Sequence, residues 1–288
     1  MSVNIQTLKD IRNYFKQELY GIYPEQEITA ITNLILKTHY GIDRLQLLSD
    51  PGQIVSSQTV SRIVEICDEL KTRKPLQYIL GETSFYNCII KVNNETFIPR
   101  QETEELVDLI IRENPGFKGR VIDIGTGSGC IAIAIKKNLK EADVTGIDIS
   151  EGAIEMASSN GILNNVNVSF LKGDIFKFDS ELIPPVKIIV SNPPYVLESE
   201  KQNMSRNVLD FEPYNALFVS DKNPLFFYNA IVNLSGSILI PGGKLYFEIN
   251  ETKGGEICRM LESAGFSEVK IIDDINGKNR FVKGRLND

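Results

Sequence analysis

The chain has 288 residues, a net charge of −7, one histidine and no tryptophan. With 42% apolar and 24% charged side chains, it has the material for a packed core and is not expected to be globally disordered. The acidic balance weighs against sequence-blind binding to duplex nucleic acid, which needs clustered Lys and Arg, and no apolar run approaches the roughly 18–20 residues of a bilayer-crossing helix.

Met1 to Asp10 lacks a basic stretch followed by an apolar one, so no secretory signal is expected. Ile5, Leu8, Ile11, Phe15 and Leu19 recur at helical steps, as do Ile28, Ile31, Leu34 and Ile35 up to Gly41. Val60, Ile63, Val64, Cys67 and Leu70 form a third stripe, opened by Ser56-Ser57 and closed before Pro75. These stripes predict a helical bundle over residues 1–75 with a near-neutral charge balance. Residues 76–100 read as a connecting segment. Within it Phe85, Cys88, Ile90 and Val92 predict a β-hairpin, with Asn93-Asn94 as its polar turn.

From residue 101 to 288 strands and helices alternate. Helices are predicted over Glu102–Glu113, from Ser128, over Glu151–Leu163, near Pro224–Ser235 and over Gly255–Ala264. Asp221 or Asn223 is the expected cap of the fourth. Strands are predicted at Arg120–Ile124, Asp143–Ile147, Val168–Leu171, Val186–Val190, Lys244–Ile249, Val269–Ile272 and Phe281-Val282. Such alternation predicts an α/β fold with a mainly parallel, doubly wound sheet, which binds ligands beyond the carboxyl ends of its strands.

Cys67, Cys88, Cys130 and Cys258 contain no C-x-x-C spacing, and the single His39 cannot complete a Cys/His metal site. No metal is expected, and the scattered thiols point to core positions in a protein of the reducing cytoplasm. With one histidine, no Ser-His-Asp or Cys-His arrangement is expected either. His39, beside Tyr40-Gly41, reads as a last-turn helix residue favoured by the dipole.

Three motifs fall at strand ends. In Asp123-Ile124-Gly125-Thr126-Gly127-Ser128-Gly129 the glycines permit a sharp turn and bring backbone N–H groups toward a ligand; taken alone, the cluster also fits a turn that serves geometry only. Asp148, about 20 residues on, suits a ribose diol, although it would equally cap the next helix with Ser150. Together the two describe a nucleoside-containing ligand. Asp174 then suits an adenine amino group and Ile175 the ring face, with a plain turn aspartate as the other reading. The third and sharpest motif is Asn192-Pro193-Pro194-Tyr195, after the apolar Ile188-Ile189-Val190. Two prolines fix φ twice and remove two donors, leaving carbonyl and amide oxygens beside an aromatic face. That set suits a planar substrate bearing an NH₂ group. Asn223-Pro224-Leu225 lacks the second proline and the aromatic.

These motifs resemble the class I S-adenosylmethionine-dependent methyltransferases, a Rossmann-like fold with a seven-stranded sheet. More narrowly, the chain resembles the release-factor glutamine N5-methyltransferases (the HemK/PrmC family). The narrower likeness also rests on Pro75 to Glu82, on Ile98-Pro99-Arg100-Gln101-Glu102-Thr103-Glu104-Glu105-Leu106 and on Glu212-Pro213. Two positions depart from the family pattern: Ile249-Asn250-Glu251-Thr252 follows Glu248 where a glycine and a glutamine are usual, and Ile175 stands where some members have tryptophan. The resemblance implies methyl transfer from S-adenosylmethionine to the glutamine amide of the Gly-Gly-Gln loop in class I peptide-chain release factors, in the cytoplasm, with no nucleic acid or membrane partner. It implies Asn192, Pro193, Pro194 and Tyr195 as the substrate and catalytic residues. It implies a cofactor site of Gly125 to Gly129, Asp148, Asp174, Ile175 and Asn192, to which Phe97, Arg100 and Glu104 are added, and a helical domain that recognises the release factor. Two other readings are open: an exocyclic-amine methyltransferase acting on adenine or guanine in nucleic acid, which the same tetrapeptide would serve, and a non-catalytic module that holds a translation factor.

Overall fold

The computed structural model describes residues 5–177 and 180–288. They divide into two compact units, residues 5–81 with 205–211, and residues 82–177 and 180–204 with 212–288. Among the described residues no helix is long and apolar enough to cross a membrane.

The first unit holds α1 (Leu8–Glu18), α2 (Glu25–Tyr40), α3 (Arg44–Ser49), α4 (Ser57–Lys71) and α5 (Leu76–Leu80). The Thr7 and Asp10 side chains close a capping box on α1, and Ser56 caps α4 by accepting from the Thr59 N–H. The predicted stripes converge on one core, in which Leu8, Ile11, Phe15, Ile35, Ile63 and Cys67 are fully buried. Leu34 differs from expectation: it lies on the outer face, 44% exposed, and Thr32 and Leu36 turn inward instead. At 100° per residue, Ile28, Ile31, Thr32, Ile35 and Leu36 share an arc of about 140°, and Leu34 falls about 60° beyond its edge. His39 sits in the last turn of α2, as its sequence position implied.

In the second unit, β1 (Glu82–Phe85) and β2 (Cys88–Lys91) form the hairpin. Its turn is Tyr86-Asn87, not Asn93-Asn94. Both turn residues have positive φ, 42° and 62°, the handedness that matches the twist of paired strands. Asn93 makes a separate turn in which its Oδ1 accepts from the Glu95 N–H. There follow α6 (Gln101–Glu113), β3 (Arg120–Ile124), α7 (Cys130–Asn138), β4 (Asp143–Asp148), α8 (Glu151–Leu163), β5 (Ser169–Lys172) and β6 (Val186–Ser191). The short β7 (Val196–Leu197), α9 (Arg206–Phe211, grouped with the first unit), α10 (Tyr214–Leu217) and β8 (Phe218–Val219) come next. Then come α11 (Phe226–Ile238), β9 (Leu239–Glu248), α12 (Gly254–Ser263), β10 (Phe266–Asp273) and β11 (Asn279–Leu286).

Seven strands form one sheet in the order β10-β11-β9-β6-β3-β4-β5, with β11 alone antiparallel to its neighbours. The chain runs outward from β3 to β4 and β5, then returns to place β6 on the other side of β3. This reversal opens a crevice at the carboxyl ends of the strands. β9 begins at Leu239, earlier than its apolar run suggested, and the register shift against β6 takes up the Pro241-Gly242-Gly243 segment. The expected cap of α11 is not made by Asp221 or Asn223 side chains: Asp221 accepts from the Ser199 N–H and hydroxyl instead.

The hairpin is tied to α8 by two asparagines one helical turn apart. Asn164 exchanges hydrogen bonds with the Ile89 N–H and carbonyl, at 3.1 and 2.7 Å. Asn160 does the same with Lys91, at 2.8 and 2.9 Å, and also donates to the Ser128 carbonyl at 2.9 Å. Four helical residues rise about 6 Å and two strand residues about 6.6 Å, so side-chain amides at i and i+4 match alternate residues of a strand edge. The helix thus supplies the partner that β2 lacks on that side.

Candidate active site

A cavity of about 490 Å³ opens at the carboxyl ends of β3, β4 and β6. Gly125, Thr126, Gly127 and Ser128 form one wall. Gly125 and Gly127 have φ of 72° and 54°, a region that a Cβ disfavours. Most of the loop's N–H groups do not face a ligand, contrary to the expectation from sequence. Those of Gly125 and Thr126 donate to the Ile147 carbonyl, that of Gly129 to the Thr126 carbonyl, and that of Gly127 to Asp148 Oδ2 at 2.8 Å. The glycines serve close approach of the backbone to the cavity rather than an anion nest. Gly129 lies behind the wall: a Cβ there would meet Ala157 and Phe170 at 3.0 Å, so it permits α7 to pack against α8 and β5. Beneath the loop, Asp123 is fully buried and accepts from the Thr126 hydroxyl at 2.6 Å, and burial pushes its carboxyl up to about 7.

Asp148 lines the cavity at the end of β4. Its oxygens accept from Gly127 N–H and, at 3.0 Å, from Ser150 N–H. A carboxylate offers about four acceptor positions, so this fixes its orientation while leaving two for a diol. Ser150, not Asp148, caps α8 through the Ala153 N–H. Farther along, Ile149, Ile175 and Phe176 provide an apolar slot, and Asp174 is oriented by the Phe176 N–H at 3.0 Å.

Asn192, Pro193, Pro194 and Tyr195 line the cavity together at the end of β6. The Asn192 Nδ2 donates to Thr103 Oγ1 at 3.2 Å, which leaves Oδ1 as its polar atom for the cavity. Thr103, in the first turn of α6, donates to Glu248 Oε2 at 2.7 Å. The Tyr195 hydroxyl donates to Glu248 Oε1 at 2.9 Å. Glu248 ends β9 and is 1% exposed; burial raises its carboxyl above the usual range against the pull of those two donors. Burial, followed by the Glu248 charge, holds the Tyr195 phenol far above its usual value, so it stays protonated. Asn250, just past β9, donates to Glu200 and to the Tyr195 carbonyl, and its Oδ1 accepts from Thr252. Asn250 thus braces the segment after the prolines.

Besides Gly129, two residues expected at the cavity do not line it. Arg100 forms an ion pair with Glu212, whose side chain is 1% exposed, and its guanidinium sits 4.6 Å from the centre of the Phe97 ring. Its charge offsets that of a buried carboxylate, and the ring beneath it, Phe97, is what reaches the cavity. Glu104 accepts from the Tyr86 N–H at 2.9 Å and so serves the hairpin turn. The sequence reading gave no role to Thr103 or Glu248. The available signal was an acidic residue closing the apolar run Leu245-Tyr246-Phe247, at the strand end where ligands bind.

The Methyltransferase small domain family matches residues 102–211, and the PrmC N-terminal domain family matches residues 10–81. The release factor glutamine methyltransferase of Bacteroides thetaiotaomicron is 44% identical over 272 residues, covering 94% of this chain and 98% of the relative. That of Flavobacterium psychrophilum is 41% identical over 280 residues, covering 96% and 98%. A methyltransferase from Pyrococcus furiosus shares the fold at a TM-score of 0.53 and 18% identity, over 81% of this chain and all of that one. At these identities and this coverage, the chain belongs to the release factor glutamine methyltransferase family.

Proposed function

We infer that this chain is an S-adenosylmethionine-dependent methyltransferase that modifies the side-chain amide nitrogen, N5, of a glutamine in peptide-chain release factors. The glutamine is that of the Gly-Gly-Gln loop of class I factors. The observation that carries this reading is the Asn192–Tyr195 corner, set against the cavity with the Asn192 nitrogen engaged by Thr103 and its oxygen left for a substrate.

The cavity's chemistry fits S-adenosylmethionine. Asp148 keeps acceptor positions for the ribose hydroxyls, Ile149 and Ile175 offer faces to the adenine, and Asp174 suits its amino group. When bound, the cofactor supplies an electrophilic methyl group on a sulfonium.

The chain's own residues must overcome a poor nucleophile, because an amide nitrogen has its lone pair delocalised into the carbonyl. Among the described residues beside the tetrapeptide, Glu248 is not free to remove a proton from it outright, because it already accepts from two hydroxyls. Positioning and electrostatics take that place. Asn192 Oδ1 and the Pro193 carbonyl accept the two amide hydrogens, and the Tyr195 ring packs on the amide plane. The positive charge that develops on nitrogen then meets two acceptors, and the surplus proton leaves to water once the methyl–nitrogen bond has formed. Alignment of this kind is worth roughly 7–11 kcal/mol in favourable cases.

A single glutamine side chain offers few atoms for selectivity, so contacts remote from the reacting nitrogen must supply it. The helical unit is the proposed docking element. It exposes Tyr20, Leu45, Leu48 and Ile54, each at least 60% accessible. The four cysteines are free thiols, in keeping with action in the reducing cytoplasm.

The test is to incubate the enzyme and labelled S-adenosylmethionine with a bacterial release factor, tRNA, rRNA and DNA side by side. Label is expected in the release factor alone. Label in a nucleic acid, with none in the factor, would establish the exocyclic-amine reading instead. Cofactor binding with no product on any substrate would leave a binding module.

A further inference from the structure

We propose that Glu248 and Thr103 are positioning residues that set the Asn192 amide in its acceptor orientation, with one buried carboxylate organising both the Asn192 and the Tyr195 side of the substrate site. This rests on the functional reading above and deepens it.

A primary amide can present either its oxygen or its NH₂ to a cavity, and only the oxygen can accept a substrate N–H. Nothing in Asn192 itself decides which; its neighbour does. A threonine hydroxyl has one hydrogen. Glu248 Oε2, 2.7 Å away, is placed as the acceptor for that hydrogen, just as Oε1 is for the Tyr195 hydroxyl, so Thr103 donates to it. Thr103 Oγ1 is then left with lone pairs toward Asn192, and the atom opposite it must be a donor. That atom is Nδ2, at 3.2 Å. The polarity runs from the carboxylate through the hydroxyl to the amide, and it ends with an oxygen available to the substrate. Glu248 Oε1 meanwhile takes the Tyr195 hydroxyl and fixes the ring.

The burial pattern supports a dedicated arrangement. Thr103 and Glu248 are 2% and 1% exposed and stand 145 residues apart in the chain, one opening α6 and the other closing β9. A buried carboxylate is costly unless hydrogen-bonded, and here both oxygens are engaged by hydroxyls that bear on the same tetrapeptide.

The experiment measures single-turnover methyl transfer to a release factor at saturating cofactor, with cofactor affinity measured by calorimetry. Thr103→Val keeps the shape and removes the relay. It should lower the rate at least tenfold and leave the cofactor dissociation constant within about twofold of wild type. Thr103→Ser, which restores the hydroxyl, should recover most of that rate. A merely structural role would not move the third readout, a double-mutant cycle. If Thr103 acts through Asn192, adding Thr103→Val to Asn192→Ala should cost less than threefold more. If Thr103→Val does not fold, Thr103→Ala takes its place in the cycle, with the same expectation. The proposal is overturned if the valine variant transfers at the wild-type rate, or if its full loss persists in the Asn192→Ala background. Absence of transfer by the wild-type enzyme would instead overturn the functional reading on which it rests.

Discussion

Asn192→Ala is expected to slow methyl transfer by about a hundredfold or more while leaving S-adenosylmethionine binding within about twofold of wild type. The side-chain oxygen is one of two acceptors for the substrate amide. Its loss removes an interaction that strengthens as the nitrogen gains positive charge, so it is felt in the transition state more than in the bound state. A hundredfold is about 2.7 kcal/mol, the scale found for one preorganised group facing developing charge. The cofactor's ribose and adenine are assigned to Asp148, Ile175 and Asp174, none of which bonds to Asn192, so binding should survive. Single-turnover rates at saturating cofactor, beside calorimetric affinities, separate the two effects. A rate near wild type would remove Asn192 from the reaction, and a loss confined to cofactor affinity would make it a binding residue only.

The second large effect is expected on stability. Asn160 is fully buried; its oxygen accepts from the Lys91 N–H, and its two amide hydrogens go to the Lys91 and Ser128 carbonyls. Asn160→Asp keeps the shape and turns one donor atom into an acceptor that faces two carbonyls. Each buried group left without a partner costs about 1–3 kcal/mol, so a loss of about 3 kcal/mol or more is expected. For a unit of this size that is a drop of roughly 6–12 °C in its thermal transition. Asn164→Asp, at a more accessible site with the same hairpin partner, should cost clearly less. Equal losses at the two positions would mean that the Ser128 contact and the burial do not matter. Because Ser128 belongs to the glycine loop, the Asn160→Asp variant should also loosen the cavity wall.

What could be read from the chain and what could not divide along a physical line. Val121 to Ile124 and Ile188 to Val190 are buried on both sheet faces, and apart from Asp123 they read as plain apolar runs, so both reveal parallel strands. Each recognisable part of the site lies within a few contiguous residues at one strand end: the glycine loop, Asp148, and Asn192 to Tyr195. Backbone constraints there are written locally, in glycines and prolines. The relay from Glu248 to Asn192 is different, because its members come from β9, α6 and the turn after β6 and meet only when the sheet forms. Thr103 on its own is an ordinary first-turn helix residue. Arg100 and Glu104 show the converse. Their place beside an apparent motif suggested the cavity, but a charge goes where its counter-charge is buried, and Glu212 lies 112 residues away. The hairpin turn differs from expectation for a local reason: Asn93-Asn94 has the more familiar turn composition, but strand pairing places positive φ at Tyr86-Asn87.

The central claim is that this cavity directs a methyl group onto a carboxamide nitrogen. Tandem mass spectrometry of a release factor treated with enzyme and S-adenosylmethionine tests it most directly. The Gly-Gly-Gln peptide should gain the mass of one methylene, with fragment ions placing it on the glutamine side chain, and the untreated control should lack it. A methyl group on any other residue, or an unmodified factor beside a methylated nucleic acid, would contradict the account.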